Sequence, residues 1–370
     1  MRVAIVTESF LPTINGVTNS VIQVNRSLVK QGHQVLILAP EVSSRPDFFE
    51  GSKVIGLPTI NFQKVLPVAV PNFLIQRALL DFRPDVVHLA SPAIMGAHAQ
   101  RVANKLSIPT VAIYQTDYVG FASHYKFSFA QRAIEGIVRV IHQSASINLA
   151  PSTFAIEQLR KAGVGNVSRW GRGVDLEQFN PKHRRDDLFP RDKFVLGFVG
   201  RLAPEKGIER LAAFNSRDDI QLVIIGDGPM RLELERKLPS AIFTGKKSGF
   251  ELGQHFASLD AFIHPGEHET FCQAAQEALA SAVPVIAPTR GGIKDFILEG
   301  LNGILVDFQD REALTNISDS QWGFLSDHQT RIAARNSVAD RSWASVNQEL
   351  FGHYQRVIAD SRARRIGVAS

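Results

Sequence analysis

Short apolar runs alternate with amphipathic stretches along the first half of the chain. Five such runs are bounded by polar or turn residues, and stretches with helical periodicity lie between them. Continuous apolar strands separated by helices indicate a parallel sheet that is covered on both faces. The predicted strands are 3–6, 35–38, 86–89, 110–113 and 147–149, and the predicted helices are 20–31, 93–106, 131–143 and 153–162.

The same alternation starts again near residue 193, with further strands predicted at 195–199, 222–225, 241–243, 261–263 and 283–286. Two series indicate two doubly wound α/β domains. Past residue 325 the chain is predicted to be helical, since Trp343, Val346, Leu350 and Tyr354 recur on one face, before a frayed basic tail from Asp360. The expected boundaries are a first domain at 1–170, a linker at 171–192, a second domain at 193–340, and a C-terminal helix and tail at 341–370.

Length and composition are those of an ordinary two-domain protein. A chain of 370 residues is long for one core. Its single cysteine excludes an intramolecular disulfide, and no apolar stretch approaches the length of a membrane span. The first residues enter a strand with no signal-peptide core. We therefore expect a cytoplasmic protein.

The net charge of +5 is unevenly placed, because residues 1–180 hold 17 basic and 11 acidic side chains and residues 181–370 hold 24 and 25. A basic first half can attract an anionic membrane surface or an acidic acceptor. A solvated surface with a modest bias explains the same numbers equally well. The basic residues are scattered without a recognition-helix pattern, so nucleic acid is not an expected partner.

Two cations follow the predicted strand 195–199. Arg201 and Lys206 lie at its carboxyl end, where α/β sheets bind ligands, and Lys206 is expected to open the next helix. Arginine offers a fork for phosphate oxygens and lysine a mobile point charge, and both stabilise the charge of a departing diphosphate. No Asp-x-Asp pair for a metal–diphosphate bridge occurs, so the cations would replace a metal. Alone, the motif is more often an exposed basic turn.

Two carboxylates flank a segment that is predicted to become helical after strand 261–263. Glu269 lies at the carboxyl edge of that strand, and Glu277 lies two turns into the helix, within reach of a ribose hydroxyl. With Thr270 or a neighbour as the cap, the backbone amides at 271–273 point at an anion. Two solvated helix charges are the ordinary alternative. Arg201 and Lys206 already follow one strand, and the two glutamates are a second charged pair that follows a strand, which strongly favours function.

Three weaker signals complete the set. Gly16, in the Asn-Gly turn after the first strand, lets the backbone approach a phosphate or sugar closely, although such a dipeptide is most often only a turn. Asp117 follows strand 110–113, where it could meet the sugar, or serve as an ordinary loop aspartate. The absence of a Gly-x-Gly-x-x-Gly motif argues against a nicotinamide or flavin enzyme. A metal site built from His264, His268 and Cys272 fits the surroundings less well than a donor loop does.

Taken together, these motifs resemble the retaining glycosyltransferases of family 4. The resemblance covers nearly the whole chain and includes the 173–181 segment, Gly200-Arg201…Lys206, Gly226-Asp-Gly-Pro229 and Glu269-x7-Glu277. It implies the GT-B fold, in which two Rossmann-like domains face each other across a cleft and a C-terminal helix crosses back to the first domain. The N-terminal segment 7–20 and the block 114–118 further resemble actinobacterial GDP-mannose-dependent α-mannosyltransferases that act on glycolipids.

The resemblance assigns roles residue by residue. Arg201 and Lys206 would hold the donor diphosphate, and Gly16 would approach it from the first domain. Glu269 would hold hydroxyls of the transferred sugar, with the amides of Phe271, Cys272 and Gln273 beside them, and Glu277 would hold the ribose. Many relatives have glycine at 272, histidine at 117 and Gly-Gly at 15–16. The implied catalytic residues are Arg201, Lys206, Glu269 and Asp117.

The implied reaction moves mannose from GDP-mannose to a hydroxyl of a lipid or sugar acceptor, without metal or cofactor. Peripheral association with the inner face of the plasma membrane follows from a lipid acceptor, and the apolar stretch 62–73 could rest there, although an ordinary core loop is at least as good an explanation. A UDP-sugar-dependent transferase with a soluble acceptor, a nucleotide-sugar epimerase of the same architecture and a donor-binding protein without turnover remain alternatives.

Overall fold

The computed structural model describes residues 1–62, 66–69, 73–115, 131–310 and 312–368. It divides into two compact units, one formed by Met1–Arg172 with Ala344–Ser370 and the other by Gly173–Trp343. Each unit contains its own, almost entirely parallel sheet with helices between the strands. The two predicted doubly wound α/β halves are therefore confirmed.

The first unit is built on an eight-stranded sheet in the order β10-β9-β8-β7-β1-β2-β4-β3. The central strand β1 pairs in parallel on both sides, with Val3 opposite Val35 and Val86. Among the described strands of this sheet only β3 runs antiparallel, and β5 and β6 form a separate antiparallel pair. The strands are β1 (Arg2–Thr7), β2 (Gln34–Pro40), β3 (Phe48–Phe49), β4 (Ser52–Leu57), β5 (Thr59–Phe62), β6 (Leu66–Ala69), β7 (Val86–Ala90), β8 (Thr110–Ile113), β9 (Ile147–Ala150) and β10 (Val167–Arg169).

Helices in the described part of this unit connect successive strands, as parallel pairing requires. Their apolar sides pack on the sheet; Val21, Val24 and Leu28 of the first helix, for example, are fully buried. The helices are α1 (Gly16–Lys30), α2 (Phe73–Phe82), α3 (Ile94–Lys105), α4 (Gln131–Gln143) and α5 (Thr153–Lys161).

The second unit has a six-stranded sheet, parallel throughout, in the order β13-β12-β11-β14-β15-β16. Residues of β11 and β14 are almost wholly buried, which explains their uninterrupted apolar sequences. The elements are β11 (Phe194–Val199), β12 (Ile220–Ile225), α6 (Arg231–Lys237), β13 (Ile242–Gly245), α7 (Gly249–Ala257), β14 (Ala261–Ile263), α8 (Gln273–Ala280), β15 (Val285–Pro288), β16 (Gly303–Val306), α9 (Asp319–Ser326) and α10 (His328–Asn336).

The last helix, α11 (Trp343–Val368), returns to the first unit from its second residue onward, as the resemblance implies. Its Leu350 and Tyr354 are fully buried in the core of that unit. The Tyr354 hydroxyl lies 2.6 Å from Nδ1 of His88 on β7, and burial lowers the pKa of His88 to about 3, so this ring is neutral.

Two expectations about the ends of the units need correction. Most of the predicted linker 171–192 belongs to the second unit, which begins at Gly173, and its Val174 and Phe179 are buried in the core of that unit. The chain is also not frayed from Asp360, since α11 continues to Val368. There Arg362 lies 3.4 Å from the carboxylate of Asp85, which anchors the last turns.

No helix within the described ranges combines the length and apolar character that a membrane-spanning segment needs.

Candidate functional site

The turn that carries Arg201 begins where β11 and β12 end side by side. The amide of Gly200 donates to the carbonyl of Ile225 at 3.0 Å, which extends the strand pairing by one residue. A Cβ atom on Gly226, whose φ is +146°, would lie 1.9 Å from the carbonyl oxygen of Gly200. Only glycine allows this approach, so the Gly226 motif shapes the edge from which Arg201 projects.

Lys206 ends a short 3₁₀ turn, Pro204–Lys206, and does not open an α-helix as predicted. Gly207 follows with φ +62°, and a second 3₁₀ segment, Ile208–Phe214, comes after it. The left-handed residue stops the first turn, because it reverses the path of the backbone. Lys206 is therefore placed by a tight turn and a glycine, without a helix N-terminus of its own.

Lys206, Glu269 and His264 form one contact cluster in the second unit. The ammonium of Lys206 donates to Oε1 of Glu269, and Nε2 of His264 lies 3.2 Å from the same oxygen. Lys206 lies 63 positions before Glu269 in the sequence, and His264 lies five positions before it. Lys206 follows β11, whereas His264 and Glu269 follow β14, and these two strands are neighbours in the sheet. A cation and a carboxylate, each predicted to lie at the end of a strand, are thus in direct contact in the second unit.

Burial and pairing act against each other on these charges. Burial alone would raise the pKa of Glu269, but the Lys206 cation and His264 together hold it well below its usual range. Burial likewise opposes the charge of Lys206, yet the Glu269 carboxylate outweighs it and raises the pKa of Lys206. Both groups are therefore ionised at neutral pH, each as the counterion of the other.

Arg201 makes a different contact. Its guanidinium donates to Oε1 of Glu205, and its side chain is 53% exposed. The second oxygen of Glu205 is buried without a hydrogen-bond partner in the described part of the chain. The two cations of this motif are thus held by different carboxylates, and the side chain of Arg201 is accessible whereas that of Lys206 is largely enclosed.

The loop after β14 is held by its backbone. The carbonyl of Glu269 accepts from the amide of Gly292 at 2.7 Å, and the ring of Phe271 stacks on Phe296 with centroids 4.8 Å apart. Helix α8 begins at Gln273 with Cys272 as its N-cap at φ +73°, so Thr270 is not the cap and Phe271 precedes the first turn. The free backbone amides at the start of α8 therefore lie further along the chain than the predicted group at 271–273.

The remaining donor-side candidates lie on or beside α8. Burial raises the pKa of the Cys272 thiol, which is therefore protonated. The side-chain amide of Gln273 donates to the carbonyl of Gly173 at 2.9 Å. Glu277 is half-buried just over one turn into the helix, closer to its start than predicted.

In the first unit, Gly16 is the first residue of α1, capped by Asn15, whose side chain accepts from the amide of Thr18 at 2.9 Å. The carbonyl of Gly16 accepts from the guanidinium of Arg172, which also donates to Gln115. Arg172 is buried and was not identified from the sequence, because it lies in a segment interpreted as linker. It holds the turn that carries Gly16.

Glu8 is a second residue of the first unit that sequence analysis missed. Its Oε1 accepts from the amides of Ala93 and Gly96, at 2.8 and 2.9 Å, and so caps α3, whose own N-cap residue is alanine. Burial raises the pKa of Glu8 in spite of these amides. Asp117, the fourth predicted catalytic residue, lies outside the described residues, and its role stays a prediction.

Comparison with known proteins identifies this architecture. Residues 14–178 match the model for glycosyltransferase family 4, and residues 179–321 match that for glycosyl transferases group 1. The chain is 46% identical to a GDP-mannose-dependent alpha-mannosyltransferase of Mycolicibacterium smegmatis, over 97% of this chain and 98% of that protein. It is also 32% identical to the sulfoquinovosyl transferase of Arabidopsis thaliana, over 91% of this chain and 70% of that protein. The chain therefore belongs to glycosyltransferase family 4.

Solved structures agree on the fold. Sucrose-phosphate synthase from Thermosynechococcus elongatus superposes with a TM-score of 0.80 at 19% identity, covering 97% of this chain and 99% of that one. Anabaena HepE in complex with UDP superposes with a TM-score of 0.78 at 18% identity, covering 96% and 100%. At these identities the likeness concerns the fold alone, which is GT-B. The protein is a glycosyltransferase.

Proposed function

We propose that the protein transfers mannose from GDP-mannose to a hydroxyl group of a glycolipid, with retention of configuration. Support for the donor comes from relatives in Mycolicibacterium smegmatis and Mycobacterium tuberculosis that are named GDP-mannose-dependent alpha-mannosyltransferase and are 46% and 45% identical. Support for a lipid acceptor comes from relatives at 27% identity, named alpha-monoglucosyldiacylglycerol synthase and phosphatidylinositol dimannoside mannosyltransferase. Glucuronosyl diacylglycerol and phosphatidylinositol mannosides are the acceptors to test.

The contact between Lys206 and Glu269 is the observation that carries the proposal. It places a cation suited to the β-phosphate beside a carboxylate suited to sugar hydroxyls, as the two halves of a nucleotide sugar require. Arg201, with an exposed guanidinium, is free to swing from Glu205 to a second phosphate oxygen. Glu277 and the amides near Cys272 would complete the nucleotide side.

The proposed chemistry breaks the bond between the mannose anomeric carbon and the β-phosphate oxygen. Lys206 and Arg201 stabilise the negative charge that develops on the departing GDP. The acceptor hydroxyl attacks from the same face, and the departing phosphate oxygen takes its proton, which gives retention without a protein nucleophile. Since the two cations take the place of a metal–diphosphate bridge, we propose that turnover is independent of metal.

Titration of the protein with nucleotides should show micromolar binding of GDP and much weaker binding of UDP, with no metal added. The physical reason is that Lys206 and Arg201 neutralise the diphosphate by themselves, while the names of the relatives at 46% and 45% identity support guanine as the base. Isothermal calorimetry in the presence of EDTA measures both affinities. A strict requirement for Mg²⁺ would contradict the metal-independent mechanism.

The same titration, combined with an assay of GDP-mannose turnover with and without acceptor, separates the alternatives. Preference for UDP would keep the site but remove mannose as the transferred sugar. Conversion of the donor with no acceptor present would favour an epimerase. Tight GDP binding with neither hydrolysis nor transfer would favour a regulatory protein that only binds the donor.

We also propose peripheral association with an anionic membrane surface, at the cytoplasmic face of the plasma membrane. The first unit exposes large apolar side chains, among them Ile14, Phe48 and Phe73, and the first half of the chain is basic. Part of the apolar stretch 62–73 lies outside the described residues. Apolar insertion together with basic charge is the usual requirement for such binding.

The protein should therefore co-sediment with vesicles that contain phosphatidylglycerol at low salt, and less well at high salt, because screening weakens the attraction between charges. Pure phosphatidylcholine vesicles are the control. Absence of binding to the anionic vesicles at low salt would count against membrane docking.

A further inference from the structure

His264 is the buried member of the Lys206–Glu269 cluster. It directly follows β14, and its amide donates to the carbonyl of Ile286 on the neighbouring strand at 3.0 Å. Its ring lies nearly parallel to those of Phe198 and Phe262, with centroids 5.8 and 6.3 Å away. The backbone hydrogen bond to β15 and the aromatic contacts with β11 and β14 thus fix the ring in one orientation.

The polar edge of this ring is directed at Glu269. Nε2 lies 3.2 Å from Oε1, but both ring nitrogens are buried and neither makes a hydrogen bond of regular geometry to the residues that the structure describes. Burial lowers the pKa of His264, and the nearby carboxylate only partly offsets this. A neutral ring that carries its proton on Nε2 fits this contact, since the polar N–H then lies beside the carboxylate oxygen and Nδ1 is left as the bare acceptor.

Two polar groups therefore converge on one carboxylate oxygen. Lys206 and His264 both approach Oε1 of Glu269, and no hydrogen bond to Oε2 comes from within the described ranges. Because His264 is neutral, it fixes the carboxylate without adding a second positive charge beside that of Lys206. Lys206 alone could not fix it, since a lysine that turns to a phosphate releases the carboxylate.

The geometry points to His264 as a positioning residue that holds Oε1 of Glu269 and leaves Oε2 for hydroxyls of the transferred sugar. This inference rests on the proposed function, because it assigns the sugar to Glu269. It predicts that His264 governs the affinity for the sugar portion of the donor and leaves the affinity for the nucleoside diphosphate unchanged.

Replacement of His264 separates these two affinities. His264→Phe keeps the ring and its stacking but removes the polar contact with Glu269, so kcat/KM for GDP-mannose should fall roughly tenfold, the usual effect of losing a polar contact to a charged group. The dissociation constant of GDP should stay the same. His264→Gln places an amide donor near the position of Nε2 and should restore most of the lost efficiency.

His255→Phe is the matched control. His255 is also buried in the second unit, on α7, where its Nδ1 lies 2.7 Å from the carbonyl of Glu251. This variant should leave both donor affinities unchanged, although it removes a buried histidine hydrogen bond of similar kind.

Three outcomes would overturn the inference. The first is a His264→Phe protein with wild-type donor kinetics. The second is a parallel loss of GDP binding with no rescue by glutamine, which would make His264 merely structural. The third is a wild-type protein that binds neither GDP nor UDP, which removes the proposed function itself. If the wild type prefers UDP, the variants are compared with UDP and its hexose conjugate, and the same split between nucleotide and sugar affinity is expected.

Discussion

Lys206→Ala is expected to lower kcat for mannosyl transfer by roughly 10²–10³-fold, the effect of removing one donor to a developing oxyanion. The lysine is held beside Glu269 at the end of a 3₁₀ turn that glycine terminates. Its charge is maintained at neutral pH, because the Glu269 carboxylate raises the pKa of Lys206 against the effect of burial. Initial rates at saturating GDP-mannose measure the loss.

Lys237→Ala provides the matched control, since Lys237 forms an exposed ion pair with Glu233 on α6 of the same unit. It should keep wild-type turnover, as exposed pairs of this kind contribute little. Lys206→Met, which preserves the length of the side chain, distinguishes loss of charge from loss of packing. A loss below about threefold in both Lys206 variants, with thermal unfolding unchanged, would remove Lys206 from the chemistry.

The central strands could be predicted from the sequence because they are buried on both faces. The apolar runs of β1 and β11 leave no alternative interpretation, and all ten predicted strands are present. Six strands were missed, namely β3, β4, β5, β6, β10 and β16. Strands β5 and β6 form a small separate pair, and the others lie at or near sheet edges. Strands β4, β10 and β16 carry polar residues or glycine, so their pairing is not apparent from an apolar run.

For the candidate site, the sequence predicted which sheet edge each residue occupies but not its partners. Arg201 and Lys206 share one motif, yet they pair with Glu205 and Glu269, because the 3₁₀ turn points their side chains to different neighbours. The role of His264 depends on a loop path that the Gly292 amide fixes, and no local pattern encodes this. Arg172 acts on a turn more than 150 residues earlier, through a contact that only the folded unit creates.

Glu269→Gln should separate catalysis from nucleotide binding. Loss of the carboxylate weakens the hydrogen bonds to the sugar, so kcat/KM for GDP-mannose should fall about 10²-fold. GDP, which has no sugar to contact Glu269, should bind as tightly as to the wild type or tighter, because the ammonium of Lys206 loses its internal counterion. Calorimetry with GDP and initial rates with GDP-mannose measure the two effects on one preparation.

The pH dependence of GDP binding gives an independent check with a definite sign. In the wild type the carboxylate raises the pKa of Lys206, so GDP binding should persist to alkaline pH. In Glu269→Gln the main influence that opposes burial is lost, so the pKa of the Lys206 ammonium falls, and the alkaline loss of GDP affinity should begin at lower pH. Glu235→Gln, which removes one carboxylate from an accessible pair with Arg231, is the control and should change neither profile. A Glu269→Gln protein that loses GDP affinity at neutral pH as strongly as it loses turnover would mean that the carboxylate holds Lys206 in place, and that Glu269 is not primarily a sugar ligand.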